Sequence, residues 1–104
     1  MKTLYRRYEL LLPRRFQDKS PVPDELIGQT VRELREQAVS SGAQTFLDGW
    51  SQGGKPFSDA WVHLFVDLPD RPQHRAFFKD FKEQLKGRFQ QIDIWLTTYL
   101  IEVL

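Results

Sequence analysis

What most constrains this chain is the order in which two hydrophobic rhythms follow one another. Apolar residues alternate, then recur at helical spacing, then alternate twice, then turn helical, then alternate again. A period of two puts side chains on opposite faces of a strand, and a period near 3.6 gathers them on one stripe of a helix. The succession therefore reads βαββαβ within 104 residues. It predicts an α+β, ferredoxin-like two-layer sandwich whose four-stranded antiparallel sheet has the spatial order 4-1-3-2. Right-handed crossovers would place both helices on one face and leave the other open. At this length a single domain over 1–104 is expected. The pattern constrains architecture far more than activity, because such sandwiches host many unrelated functions.

The elements read as follows. Residues 3–12 alternate Leu4, Arg6, Tyr8, Leu10 and Leu12 against Tyr5, Arg7, Glu9 and Leu11, and Pro13 ends the strand. A loop rich in Pro and charge runs to Pro23, which suits a first helical position, with Asp24 and Glu25 at the positive end of the helix dipole. Leu26, Ile27, Thr30, Val31 and Leu34 form the apolar stripe, and Arg32, Glu33, Arg35 and Glu36 the wet side, of a helix ending before Ser40-Ser41-Gly42. Gly28 lies inside it, as if to allow close packing on the sheet. Residues 43–50 form a weaker strand, Gly53-Gly54 a hairpin turn, and residues 57–67 the returning strand. Asp70 is placed to cap a second helix over 71–89, with Phe77, Phe78, Phe81, Leu85 and Phe89 buried. Its wet face carries Lys79, Asp80, Lys82, Glu83, Lys86 and Arg88, with Lys79 and Glu83 spaced to pair, and His74 exposed in the first turn. Ile92 to Val103 is the last strand.

Three strings resemble a group of small uncharacterised bacterial proteins of similar length and element order: Tyr8–Pro13, Phe65–Asp70 and Arg88–Trp95. The likeness spans most of the chain and is loosest over residues 37–60. It implies a ferredoxin-like fold in a bacterial cytoplasm, and it carries no catalytic residues across.

Composition removes several chemistries. Without Cys there is no disulfide, thiolate catalysis or zinc–cysteine site. A net charge of +1 gives no global field toward nucleic acid or an acidic membrane. No apolar run reaches the roughly 18 residues of a membrane helix, and the N-terminus lacks a signal-peptide stretch, so a cytoplasmic protein is expected. His63 and His74, eleven apart, do not match metal-ligand spacing, so neither a metal nor a cofactor is expected. Ser40-Ser41 and Thr97-Thr98 have no base at a useful spacing.

The alternation also points to a surface. If Leu10, Val62, Leu64, Val66, Ile92, Ile94 and Leu96 face the helices, the open face gathers Tyr5, Arg7 and Glu9, then Trp61, His63 and Phe65, then Asp93, Trp95, Thr97 and Tyr99. Arg6 and Tyr8 then fall awkwardly on the inner side. Large exposed apolar patches mark interaction surfaces, so the leading expectation is a homodimer or protein-partner module bound through Tyr5, Arg7, Trp61, Phe65, Trp95 and Tyr99. An alternative is a small aromatic or anionic ligand held between Trp61 and Trp95. His63, oriented by Glu9 or Asp93, would then act as a general base. A third reading sets Arg7, Arg14 and Arg15 against phosphates, with Tyr5 and Trp61 stacking bases. Nucleic acid is disfavoured, because the third strand lacks the Lys/Arg-Gly-aromatic-Gly signature of RNA-recognition sandwiches.

Overall fold

The alternation becomes a sheet in which every even-numbered position of the first strand faces the helices. The computed structural model describes residues 4–40, 45–48 and 61–104. Its elements are β1 (Tyr5–Pro13), α1 (Asp24–Ser40), β2 (Thr45–Asp48), β3 (Trp61–Pro69), α2 (Pro72–Arg88) and β4 (Trp95–Ile101). The strands pair antiparallel in the order β2-β3-β1-β4.

The expected four-stranded sandwich is corrected at one edge. The strand placed over 43–50 is reduced to the four residues of β2, which pair with β3 from Thr45↔Asp67 to Asp48↔Leu64. The long part of the sheet is thus the three-stranded unit β3-β1-β4. The Gly53-Gly54 turn and residues 57–60 of the returning strand lie outside the described residues.

Register fixes the two faces. Tyr8 sits between Val66 and Thr98, and Leu10 between Leu64 and Leu96. Tyr8, Leu10, Leu12, Val62, Leu64, Val66 and Leu68 meet Ile27, Val31 and Leu34 of α1 and Phe78, Phe81 and Leu85 of α2 in one buried cluster, with Leu96 packed at its margin. Tyr8 stacks on Phe78 at 4.1 Å between centroids, and Phe77 and Phe81 extend the aromatic layer. Each fully buried apolar side chain of this kind contributes roughly 1.5–3 kcal/mol of transfer free energy.

Other boundaries shift for local reasons. Asp70 does not cap α2: its carboxylate binds Arg6 at 3.0 Å, and its N–H donates to Leu4 at 2.7 Å. Arg71 takes the cap position and Pro72 opens the helix. Neither Glu33 nor Arg88 lies on a purely wet face. Arg88 donates to Thr30 and to both Glu33 oxygens, all at 2.9 Å, and ties α2 to α1. Glu83 pairs with Lys86 at 3.0 Å. His74 is buried, at 4% exposure. A Cβ on Gly28 would meet only the Arg32 guanidinium, at 3.4 Å, so sheet packing does not require the glycine.

α2 ends in a Schellman motif. Gln90 adopts φ 53°, its N–H reaches the Gly87 carbonyl at 3.2 Å, and the Gln91 N–H reaches Lys86 at 2.9 Å. The loop between β1 and α1 is itself a small hairpin, with Arg15 bridged to Pro21 and Lys19 at φ 71°.

Candidate functional site

On the open face, β1 supplies the centre and its neighbours the flanks. Arg7 lies between Asp67 and Tyr99, Glu9 between Phe65 and Thr97, and Leu11 between His63 and Trp95. Trp61 stands opposite Pro13, and Tyr5 opposite Pro69 and Ile101. Tyr5, Arg7, Glu9, Trp61, His63, Phe65, Trp95 and Tyr99 therefore share one face, because residues paired across antiparallel strands point the same way.

Asp93 does not join them. It precedes β4, binds Lys82 of α2 at 3.1 Å and accepts from the Ile94 N–H at 2.9 Å. Those contacts hold its carboxyl below the usual range, the Lys82 hydrogen bond first. Ile92, expected to face inward, is exposed at 84%, while Ile94 is buried. The strand begins only at Trp95, because Asp93 turns back onto the backbone it would otherwise extend.

Two networks occupy the centre of the face. Arg7 clamps Asp67 with two parallel bonds, Nε–Oδ1 at 2.7 Å and Nη2–Oδ2 at 2.9 Å. Its guanidinium also lies 4.1 Å from the Phe65 ring centroid. The Asp67 hydrogen bond holds the Arg7 pKa well above its ordinary value, so the cation is permanent. Asp67 is the residue that sequence reasoning missed. The series Trp61, His63, Phe65 continues to it without a break, but the Leu68-Pro69-Asp70 turn signal right after it makes Asp67 read as the strand's end.

The second network centres on Glu9. Tyr99 donates its hydroxyl to one Glu9 oxygen, and His63 Nε2 lies 3.4 Å from the other. The bond to Glu9 raises the Tyr99 pKa, so the phenol stays protonated. Tyr99 stands opposite Arg7 in the β1–β4 register, which sets the two networks side by side. Around them the rings of Trp61 (42%), Trp95 (64%) and Tyr99 (44%) remain exposed.

The basic cluster read from the sequence is split by the pleat. Arg6 faces the helices and binds Asp70, Arg7 faces outward and binds Asp67, and Arg15 donates to the Lys19 carbonyl at 3.0 Å. Among the described residues there is no grouping of three or more His, Asp or Glu suited to a metal ion. No helix among them is long and apolar enough to cross a membrane. The chain matches no protein-family model, and no curated protein is significantly similar to it.

Proposed function

We propose that this protein is a homodimeric interaction module whose open sheet face seats a second copy of the chain. One observation carries the reading: exposed Trp61, Trp95 and Tyr99 surround charged groups that already have partners within the same face. A two-fold copy would bury those rings without meeting an unpaired charge, and buried unpaired charge is what most penalises an interface. Aromatic anchors around a satisfied polar centre are the composition of an interface core.

The size of the face sets the strength. Nine-residue strands span ~30 Å and three strands ~15 Å, giving ~450 Å² in projection. A standard interface covers about 800 Å² per partner. The dimer should therefore dissociate in the micromolar range. Sedimentation equilibrium over a micromolar concentration series should show a monomer–dimer transition, and Trp95→Ala should weaken it about tenfold or more. A chain that stays monomeric throughout, with Trp95→Ala indistinguishable from it, would refute the proposal.

A second reading draws on the contact between His63 and Glu9. A carboxylate beside an imidazole orients it for proton transfer, and the flanking indoles could hold a flat ligand over it. Titration with a planar aromatic acid should then quench Trp fluorescence saturably, and His63→Ala should abolish the effect without altering the oligomeric state. Absence of saturable quenching removes this reading.

A further inference from the structure

The sheet ends in β4, and nothing among the described residues pairs with its outer side. β4 runs Trp95-Leu96-Thr97-Thr98-Tyr99-Leu100-Ile101, seven residues without a charge, a proline or a glycine. Its register with β1 is unbroken from Tyr5↔Ile101 to Leu11↔Trp95, so no bulge turns the strand away. Trp95, Tyr99 and Leu100 are exposed, at 64%, 44% and 52%. An edge strand presents unpaired N–H and C=O groups to any extended segment that fits, and natural edges are blunted by Lys, Pro, a bulge or a very short length. β4 carries none of these devices.

The sequence of β4 is also its own complement. Alternate residues of an edge strand turn their hydrogen-bonding groups outward, and side chains directly opposite across an antiparallel pair share a face. A two-fold axis through Thr98 sets each outward group of one copy against its counterpart on the other, with the whole strand in overlap. Thr98 then meets Thr98 and Leu96 meets Leu100, while on the open face Trp95 meets Ile101 and Thr97 meets Tyr99. Hydroxyl pairs, apolar pairs and aromatic–β-branched pairs are favourable across strands, and no like charges face each other within this one. An axis at Thr97 or Tyr99 leaves residues at one end of the strand unmatched. Arg75 and Lys79 border Leu96 and Thr98 from α2, at the rim of the junction, where water and salt screen them.

We propose that β4 pairs antiparallel with β4 of a second copy about this axis, fusing two four-stranded sheets into one, with both helical layers on the same side. The occupant is a second copy because the fit is to the strand's own sequence, the mark of an isologous contact. The junction would also enlarge the open face. Its projected ~450 Å² falls short of the about 800 Å² per partner of a standard interface, and two such faces side by side present ~900 Å². That enlargement rests on the proposed use of the face, whereas the strand junction stands without it.

The absence of Cys from the sequence gives a direct test. Opposed Cα atoms of an antiparallel pair lie about 4.5 or 5.5 Å apart, and both separations suit a disulfide. Thr98→Cys should therefore form an intermolecular disulfide under mild oxidation at micromolar protein, read as a dimer on a non-reducing gel. Leu100→Cys, exposed on the same side of the sheet, is the control, because the junction would hold its two copies ~13 Å apart. By itself it should crosslink about tenfold more slowly or less, beyond disulfide reach, yet it should react with Leu96→Cys when the two variants are mixed. No crosslink by Thr98→Cys, or equal rates for Thr98→Cys and Leu100→Cys, overturns the junction. Trp61→Ala on β3 separates this proposal from the face. It should weaken association in sedimentation equilibrium and leave the Thr98→Cys rate unchanged within about twofold, as distant independent sites do. If Trp61→Ala does not alter association while Thr98→Cys still crosslinks, the face reading fails and the junction stands. A crosslink lost with Trp61→Ala assigns the contact to the face and overturns the junction.

Discussion

Replacing His74 with leucine should stabilise the protein, and by an amount that depends on pH. His74 lies in the first turn of α2, 4% exposed, and neither ring nitrogen has a hydrogen-bond partner. An unsatisfied buried polar group costs about 1–3 kcal/mol, and leucine fills a similar volume without one. At pH 7.5 the variant should therefore be more stable by about 1–2 kcal/mol, or roughly 4–8 °C in Tm per kcal/mol. The pH dependence follows from the charge. Burial, reinforced by Arg71, lowers the His74 pKa from its ordinary value of 6.5. The positive end of the helix dipole acts in the same direction.

The unfolded chain thus binds a proton at His74 more readily than the folded one does. Stability is lost as pH falls through the unfolded pKa of 6.5, until the folded histidine protonates as well. One pH unit below that value the loss is at most about 1.4 kcal/mol. The gap between His74→Leu and the parent should widen by up to that amount, about 1.4 kcal/mol, between pH 7.5 and 5.5. Urea unfolding at both pH values measures it, and His63 and the carboxylates cancel because both proteins carry them. A gap that stays constant, or a variant less stable than the parent at both pH values, would refute the assignment of His74 as a buried, unpaired, neutral ring.

Three further substitutions test the fold. Arg7→Met should cost about 2 kcal/mol or more in urea unfolding, since it removes two charge-assisted hydrogen bonds to Asp67, whose side chain is only 6% exposed; a loss below about 0.5 kcal/mol would show that water replaces the clamp. Gln90→Gly should stabilise by about 1 kcal/mol in the same assay, because a left-handed φ of 53° strains any residue with a Cβ; no gain would mean that the motif tolerates glutamine fully. Gly28→Ala should gain about 0.5–1 kcal/mol of helix propensity, since the new methyl meets only a flexible guanidinium; a loss would reveal a packing role.

The long strands and both helical stripes were legible because burial enforces periodicity. Leu10, Val62, Leu64 and Val66 alternate as the sheet demands, and Phe78, Phe81 and Leu85 follow the helical interval. The open-face residues were legible for the same reason, since fixing one face fixes the other. What escaped was whatever side chains settle among themselves. Asp93 fits an alternating pattern, but its bond to Lys82 and to its own backbone keeps it off the sheet. Asp70 has the composition of a cap, yet Arg6, sixty-four residues away, takes it. Glu33 and Arg88 read as solvated until α1 and α2 meet. His74 looked exposed because its neighbours are charged, and neighbours in sequence say little about which stripe of a helix a residue joins.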